Sequence, residues 1–511
     1  MHAPLFNWLN SRGAGVLMHP SSLPGNQGIG TLDKTLVRFI DLLKQAGMSY
    51  WQTLPFGPTG YGDCPYSSFS SRAGNPYLID MEAMVECGLL KGEDLDEISR
   101  LGSREVDFGR LYLIKWPLLK LAFKRFKQGA CDELGDYGSF SAFKEDNKSW
   151  LEPFALFMAL KINHAGRPWY EWEPKLRCWE KAAKARLTPD VKEEVEAQRF
   201  YQYLFFAQWA KIRNLAAKAG ISIIGDLPFY VSRDSADVWS NPECFDLDAD
   251  LNPNAVAGVP PDYFSPDGQL WGNPLYNWSK IKADSYSWWL DRLAANFGIF
   301  DIVRLDHFRA FHNYWKVPAD AQTAKNGEWV LGPGMDFFKV VAKRFPNCRI
   351  IAEDLGDIDD GVHKLLKDTG LPGMAVLQFA FDGNPHNLHV SHNQKANQVL
   401  YPGTHDNDTT RGWYDKLPEV YRDQIRRYLR VSGKDIAWDF IREAYHSVPS
   451  LCISSAQDIL GLGTDARMNE PGTSMGNWKW RMTQVQFEQL FVHAAALKEL
   501  AGLYGRLPEK E

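Results

Sequence analysis

The chain predicts an α/β fold, a (β/α)8 TIM barrel, and three observations carry that prediction. Eight short apolar runs recur along its 511 residues. Helical patterns separate most of them. Polar residues collect at the C-terminal ends of the runs, which is where such barrels build their active sites.

The runs lie at 15–19, 49–55, 221–226, 300–306, 349–354, 373–378, 398–405 and 452–457. Unbroken apolar stretches of this length suit strands buried on both faces. Helical periodicity appears at 35–46, 205–219, 288–296, 334–344 and 361–369. Two intervals exceed an ordinary barrel loop. Residues from about 65 to 205 are charged and helical in pattern, with Trp and Tyr interleaved, and predict a helical insertion after the second strand. Residues from about 232 to 285 are rich in Pro, Gly, Asn and Asp, and predict a loop-rich insertion after the third. Within it, residues 255–261 (Ala-Val-Ala-Gly-Val-Pro-Pro) have the composition of a shaped surface loop or lid. The whole chain thus reads as a single catalytic barrel, 1–511, carrying two insertions. A doubly wound sheet would want a phosphate-binding turn; the glycines between Gly25 and Gly30 follow a Pro-rich stretch and lack the Gly-Lys-Ser/Thr such a loop needs.

Composition excludes several function classes. The formal charge is 57 − 63 = −6, with 23% charged and 45% hydrophobic residues. No global basic field exists to attract nucleic acid or an anionic membrane. No apolar run reaches the roughly 18 residues of a spanning helix. The seven cysteines are scattered, odd in number and never in Cys-x-x-Cys spacing, which argues against a disulfide framework or a thiolate metal site. With no secretory signal at the N-terminus, a cytoplasmic location is expected, a plastid being the alternative.

Three carboxylates mark the chemistry: Asp306, Glu353 and Asp406, each in a dense polar cluster at a successive strand end. Acids at barrel strand ends converge above the axis, and a pair flanking one bond is what glycoside cleavage needs. Arg304, two residues before Asp306, points the same way along a strand and can hold that acid ionised. Bland readings stand beside these: a structural Arg304–Asp306 ion pair, or Asp406 capping the next helix through Thr409. His386, His389 and His392 recur every third residue, but Pro and Asn break any helix there, and no convergent metal set can be assembled. No Gly-x-Ser-x-Gly elbow supports a serine triad. Aromatic-polar clusters at Gly60 to Phe69 and Gln269 to Tyr276 suit a sugar groove.

Longer motifs carry a resemblance. His19-Pro20-Ser21-Ser22-Leu23-Pro24, Gly60 to Phe69 with Ala73 to Tyr77, Gly225-Asp226-Leu227-Pro228, Ala257 to Phe264, Leu270 to Pro274, the three acid motifs, Ala466 to Asn469 and Gly476 to Trp478 occur in order. In these the chain resembles the 4-α-glucanotransferases of amylomaltase type, glycoside hydrolase family 77, from about His19 to Arg481. The resemblance implies an α-amylase-like barrel and retaining transfer of an α-1,4-glucan segment to the 4-hydroxyl of an acceptor glucan or glucose. It implies Asp306 as nucleophile, Glu353 as general acid/base and Asp406 as the third acid. Tyr61, Tyr66, Asp226, Arg304 and His405 would bind substrate. Trp271 and the Gly258-Val259-Pro260-Pro261 loop would line the acceptor side. No metal and no cofactor are implied, and the partners are glucan donor and acceptor, with the chain a monomer or weak homo-oligomer. Three departures stand out: Cys64 where the family usually has Ser, Ala310 where it has Gly, and an unusual stretch from Cys452 to Ala456. The chain also resembles the compact form without a large N-terminal extension. A hydrolase on the same glucans and a glucan-binding protein without chemistry are the competing readings.

Overall fold

Residues 4–131, 137–261, 266–473 and 475–508 are described by the computed structural model, which leaves out the side chain of Tyr61. Their strands are β1 (Gly13–Leu17), β2 (Tyr50–Gln52), β3 (Ser222–Leu227), β4 (Ala255–Val259), β5 (Gln269–Pro274) and β6 (Ile302–Leu305), followed by β7 (Asn313–Pro318), β8 (Glu328–Leu331), β9 (Ile350–Ala352), β10 (Gly373–Val376), β11 (Gln398–Tyr401) and β12 (Leu451–Ser455).

Eight of these form one parallel sheet in the order β10-β11-β12-β1-β2-β3-β6-β9. Every apolar run predicted from the sequence contributes one strand to it. Close approach is needed between β1 and β2: a Cβ on Gly15 would lie 2.5 Å from the Tyr50 carbonyl oxygen. The seam between β9 and β10 is bridged by the Ala352 N–H donating to Pro372 O at 2.9 Å. The Met374 N–H adds a second link, donating to the Asp354 carboxylate at 2.6 Å. A side chain there replaces a ladder bond, and the sheet curls into a nearly closed barrel.

Helices cover the outside. The one spanning Lys34–Gln45 starts where Asp33 accepts from the Thr35 and Leu36 N–H groups. The expected helix at 205–219 is the second half of a 30-residue helix, Pro189–Lys218. Its first half belongs to the helical insertion, so the insertion runs into the barrel without a break. Trp209 on its second half packs edge-on against Trp51 of β2 at 5.9 Å and against Phe300 at 6.2 Å. Those buried rings fasten the insertion to the barrel wall.

The second sheet corrects one expectation. Strands β5-β4-β7-β8 form an antiparallel sheet, and β4 is an inner strand of it. Ala255–Val259 was expected as a surface loop; it is strand, with Ala255, Val256, Ala257 and Gly258 buried. Small residues mimicked loop composition because β4 packs tightly: a Cβ on Gly258 would meet the Gln269 carbonyl oxygen at 2.6 Å. Its partner β7 comes from beyond β6, a pairing no local pattern reveals. Residues 262–264 of the Ala257 to Phe264 motif lie outside the described residues. Among the described residues no helix is long and apolar enough to cross a membrane.

Candidate active site

Asp306 and Glu353 sit at adjacent strand ends by register. Leu305 of β6 pairs with Ala352 of β9, and each acid is the next residue. The Glu353 N–H donates to Leu305 O at 3.0 Å, and the Phe308 N–H returns to Glu353 O at 3.0 Å. Glu353 is gripped at both oxygens: His307 N–H donates to Oε2 at 2.7 Å and Leu355 N–H to Oε1 at 2.8 Å. His307 reaches that position in the left-handed region, at φ 50° and ψ 48°. A non-glycine residue there stores backbone strain, held by the surrounding structure. Burial pushes the Glu353 carboxyl up to about 7; the Arg304 charge opposes this and Asp306 adds to it.

Arg304 organises the other side. Its Nη1 donates to both oxygens of Asp226, at 2.7 and 2.8 Å, and lies 3.0 Å from Asp306 Oδ1. The side chains of Arg304 and Asp226 are 3% and 0% exposed, whereas Asp306 is 29% exposed. Asp306 is therefore open to a ligand, and Asp226 is the sequestered half of the ion pair. Burial opposes the Arg304 charge, but Asp226 and then Asp306 hold it firmly protonated.

The chain of contacts continues across the barrel mouth. The Tyr66 hydroxyl donates to Asp226 Oδ2 at 2.8 Å and lies 2.8 Å from His405 Nε2. Burial, then the Asp226 charge, raise the Tyr66 hydroxyl well above its ordinary value, so it keeps its proton. A single phenolic proton given to Asp226 leaves Tyr66 an acceptor toward His405, so His405 Nε2 carries hydrogen. His405 Nε2 also lies 3.4 Å from Asp406 Oδ2. Asp406 is held from behind, Oδ1 accepting from Asn469 Nδ2 at 2.6 Å and its carbonyl from Arg467 at 3.1 Å.

Asp306 and Asp406 are thus joined through Arg304, Asp226, Tyr66 and His405, residues far apart in the chain, and Glu353 adjoins Asp306 through the β6–β9 register and the His307 N–H. One detail differs from expectation: β10 lies between β9 and β11, so the third acid is not on the next strand. Asp406 does not cap the following helix; Thr409 caps it with its own hydroxyl. Trp271 of β5, 38% exposed, reaches the site through His307, whose ring it meets edge-on at 4.9 Å. The Tyr61 side chain lies outside the described residues. Cys64 faces the same space: burial lifts its thiol to about 11, with Asp406 and Asp306 adding to the effect.

The sequence reading overlooked Asn469 and the His307 and Leu355 backbone donors as site components. Asn469 lay inside a recognised motif, and its contact with Asp406 was the missing signal. His386, His389 and His392 do not converge: His389 Nδ1 accepts from Val376 N–H at 3.2 Å, and His392 Nδ1 pairs with the Tyr428 hydroxyl at 2.9 Å. Among the described residues no group of His, Cys, Asp or Glu is arranged to hold a metal.

The 4-alpha-glucanotransferase family model matches residues 18–486. The chain belongs to that family. It is 45% identical over 504 residues to the 4-alpha-glucanotransferase of Thermus thermophilus, covering 97% of this chain and 99% of the relative. It is 42% identical over 504 residues to the chloroplastic/amyloplastic 4-alpha-glucanotransferase of Solanum tuberosum, covering 97% of this chain and 87% of the relative. Amylomaltase from Streptococcus agalactiae, solved in complex with acarbose, superposes with TM-score 0.91 at 37% identity, over 97% of this chain and all (100%) of that one. This 4-alpha-glucanotransferase transfers glucosyl units among α-1,4-glucans, and its fold is the amylomaltase barrel.

Proposed function

We propose that the transfer is a retaining double displacement carried by Asp306 and Glu353. The observation behind this reading is the contrast between their settings. Asp306 is solvent-accessible beside a permanent guanidinium. Glu353 is half-buried, gripped at both oxygens by backbone N–H groups, and has its carboxyl lifted to about 7. Two neighbouring acids with environments that separate them are the pattern of a nucleophile and a general acid.

Glu353 protonates the glycosidic oxygen of an α-1,4-glucan while Asp306 attacks the anomeric carbon. The leaving segment departs with a free 4-hydroxyl and a covalent glucosyl-enzyme remains. Glu353, now a base, takes the proton from the 4-hydroxyl of an acceptor, which displaces Asp306 and forms a new α-1,4 bond with retention. Asp406, aligned by Asn469 and beside His405, grips hydroxyls of the same distorted ring. Arg304, held from the sequestered side by Asp226, positions the Asp306 carboxylate toward the sugar, and Tyr66 stacks on the ring. Trp271 and the Gly258 to Pro261 segment line the acceptor side. The chain acts as a monomer or a weak homo-oligomer. Seven scattered cysteines, never in Cys-x-x-Cys spacing, suit a reducing cytoplasm.

Incubation with maltotriose tests the reading. Glucose plus a ladder of longer α-1,4-oligomers is the expected outcome. Maltose and glucose alone would mean hydrolysis, and β-linked products would exclude retention.

A further inference from the structure

The motif His19-Pro20-Ser21-Ser22-Leu23-Pro24 has no part in the scheme above, yet it lies directly behind His405. Two buried polar atoms there find no protein partner, Ser22 Oγ and His405 Nδ1. Ser22 is 0% exposed and His405 7% exposed. Both residues line the same cavity of about 30 Å³, with His19 and Thr404 beside them. A water molecule needs only about 10–15 Å³ of such space and two or more polar partners.

The local backbone explains why the hydroxyl is left over. In the 3-10 turn Pro20–Ser22, the Ser22 N–H donates to His19 O, and the Ser22 carbonyl accepts from Met482 N–H. Both backbone groups of Ser22 are satisfied, and its side chain is not. The other hydroxyls lining the cavity are occupied: Thr404 Oγ1 by Asn407 at 2.9 Å, Thr409 Oγ1 by the Gly412 N–H at 3.1 Å and Ser455 Oγ by the Asp458 N–H at 3.1 Å. His19 Nδ1 is paired with Thr53 Oγ1 at 3.0 Å.

We propose that this cavity is a binding site for one ordered water bridging Ser22 Oγ and His405 Nδ1, and that Ser22 is a positioning residue for glucan transfer. The proposal rests on the reading of His405 as a sugar-contacting residue. His405 Nε2–H is committed to the Tyr66 hydroxyl in front; the water pins the opposite nitrogen from behind. Water can donate or accept, so it serves Nδ1 in either role. Held at both nitrogens, the imidazole cannot swing, and its edge stays aimed past Asp406 at the sugar. Removing such an outer contact costs alignment in the transition state more than ground-state affinity.

High-resolution crystallography of the full chain and kinetics of Ser22→Ala test this together. Water density within hydrogen-bond distance of both atoms is expected. Ser22→Ala should lower kcat for maltotriose disproportionation about tenfold, with KM within about twofold and an unchanged Tm. A dry cavity overturns the site. A wild-type kcat in Ser22→Ala, or a loss seen only as a lower Tm, overturns the positioning role. A chain that holds the water but transfers nothing overturns the transfer reading and leaves the water site standing.

Discussion

The Tyr66 hydroxyl lies 2.8 Å from His405 Nε2 and must accept its hydrogen. The same oxygen donates to Asp226, so it links the two sides of the barrel mouth. Tyr66→Phe should leave His405 and Asp226 each one hydrogen bond short inside a buried site. Loss of a buried partner costs about 1–3 kcal/mol, read as a lower midpoint in urea unfolding. Transfer from maltotriose should fall about 10- to 100-fold, since each 1.4 kcal/mol of lost alignment is about tenfold in rate.

Glu353, with its carboxyl at about 7, sets the alkaline limb of the rate profile. In the proposed mechanism its proton goes to the leaving oxygen, so kcat/KM should decline as pH rises through about 7. Stability follows the same proton. Between about 4.5 and about 7 the native chain holds a proton that the unfolded chain releases, so unfolding free energy should fall as pH rises across that window. Glu353→Gln should flatten both dependences; a profile whose alkaline limb is unmoved would assign the limb to another group.

Replacing the two acids separates chemistry from folding. Glu353→Gln should reduce transfer by about 10²–10⁴-fold. It also turns an amide NH₂ toward one of the two backbone donors, so a modest drop in Tm accompanies it. Asp306→Asn should cost more than about 10⁴-fold with little change in Tm, because Asp226 still neutralises Arg304. Near-normal product ladders from either variant would refute the assignment.

Trp271 is 38% exposed and meets the site at the His307 ring, 4.9 Å away. Trp271→Ala should therefore leave Tm almost unchanged and raise KM for long glucans about tenfold, the worth of roughly 1.4 kcal/mol of ring stacking. A variant that instead loses kcat at unchanged KM would mean that the ring acts on the His307–Glu353 backbone rather than on sugar.

The barrel was legible because its strands are short, apolar and buried on both faces, a pattern that survives in one dimension. The polar strand ends marked Asp306, Glu353, Asp406 and Arg304 as candidates, and the family motifs added His405. What local pattern could not carry was pairing between distant segments. Strand β4 looked like a loop because its small residues serve contacts with β5 and β7, and β7 lies beyond β6. The long helix Pro189–Lys218 hid the end of the insertion, since helical periodicity does not change where a helix passes from one layer to another.

By itself the amino-acid order determined the barrel and the family and marked three acids near its strand ends, since hydrophobic periodicity and motif identity are properties of neighbours in the chain. Tertiary structure alone decided which acid is clasped by backbone N–H groups and which stands against a guanidinium. Burial and the reach of one guanidinium depend on groups brought together from residues 66, 226, 304, 353 and 405, and those distances exist only once the chain has closed.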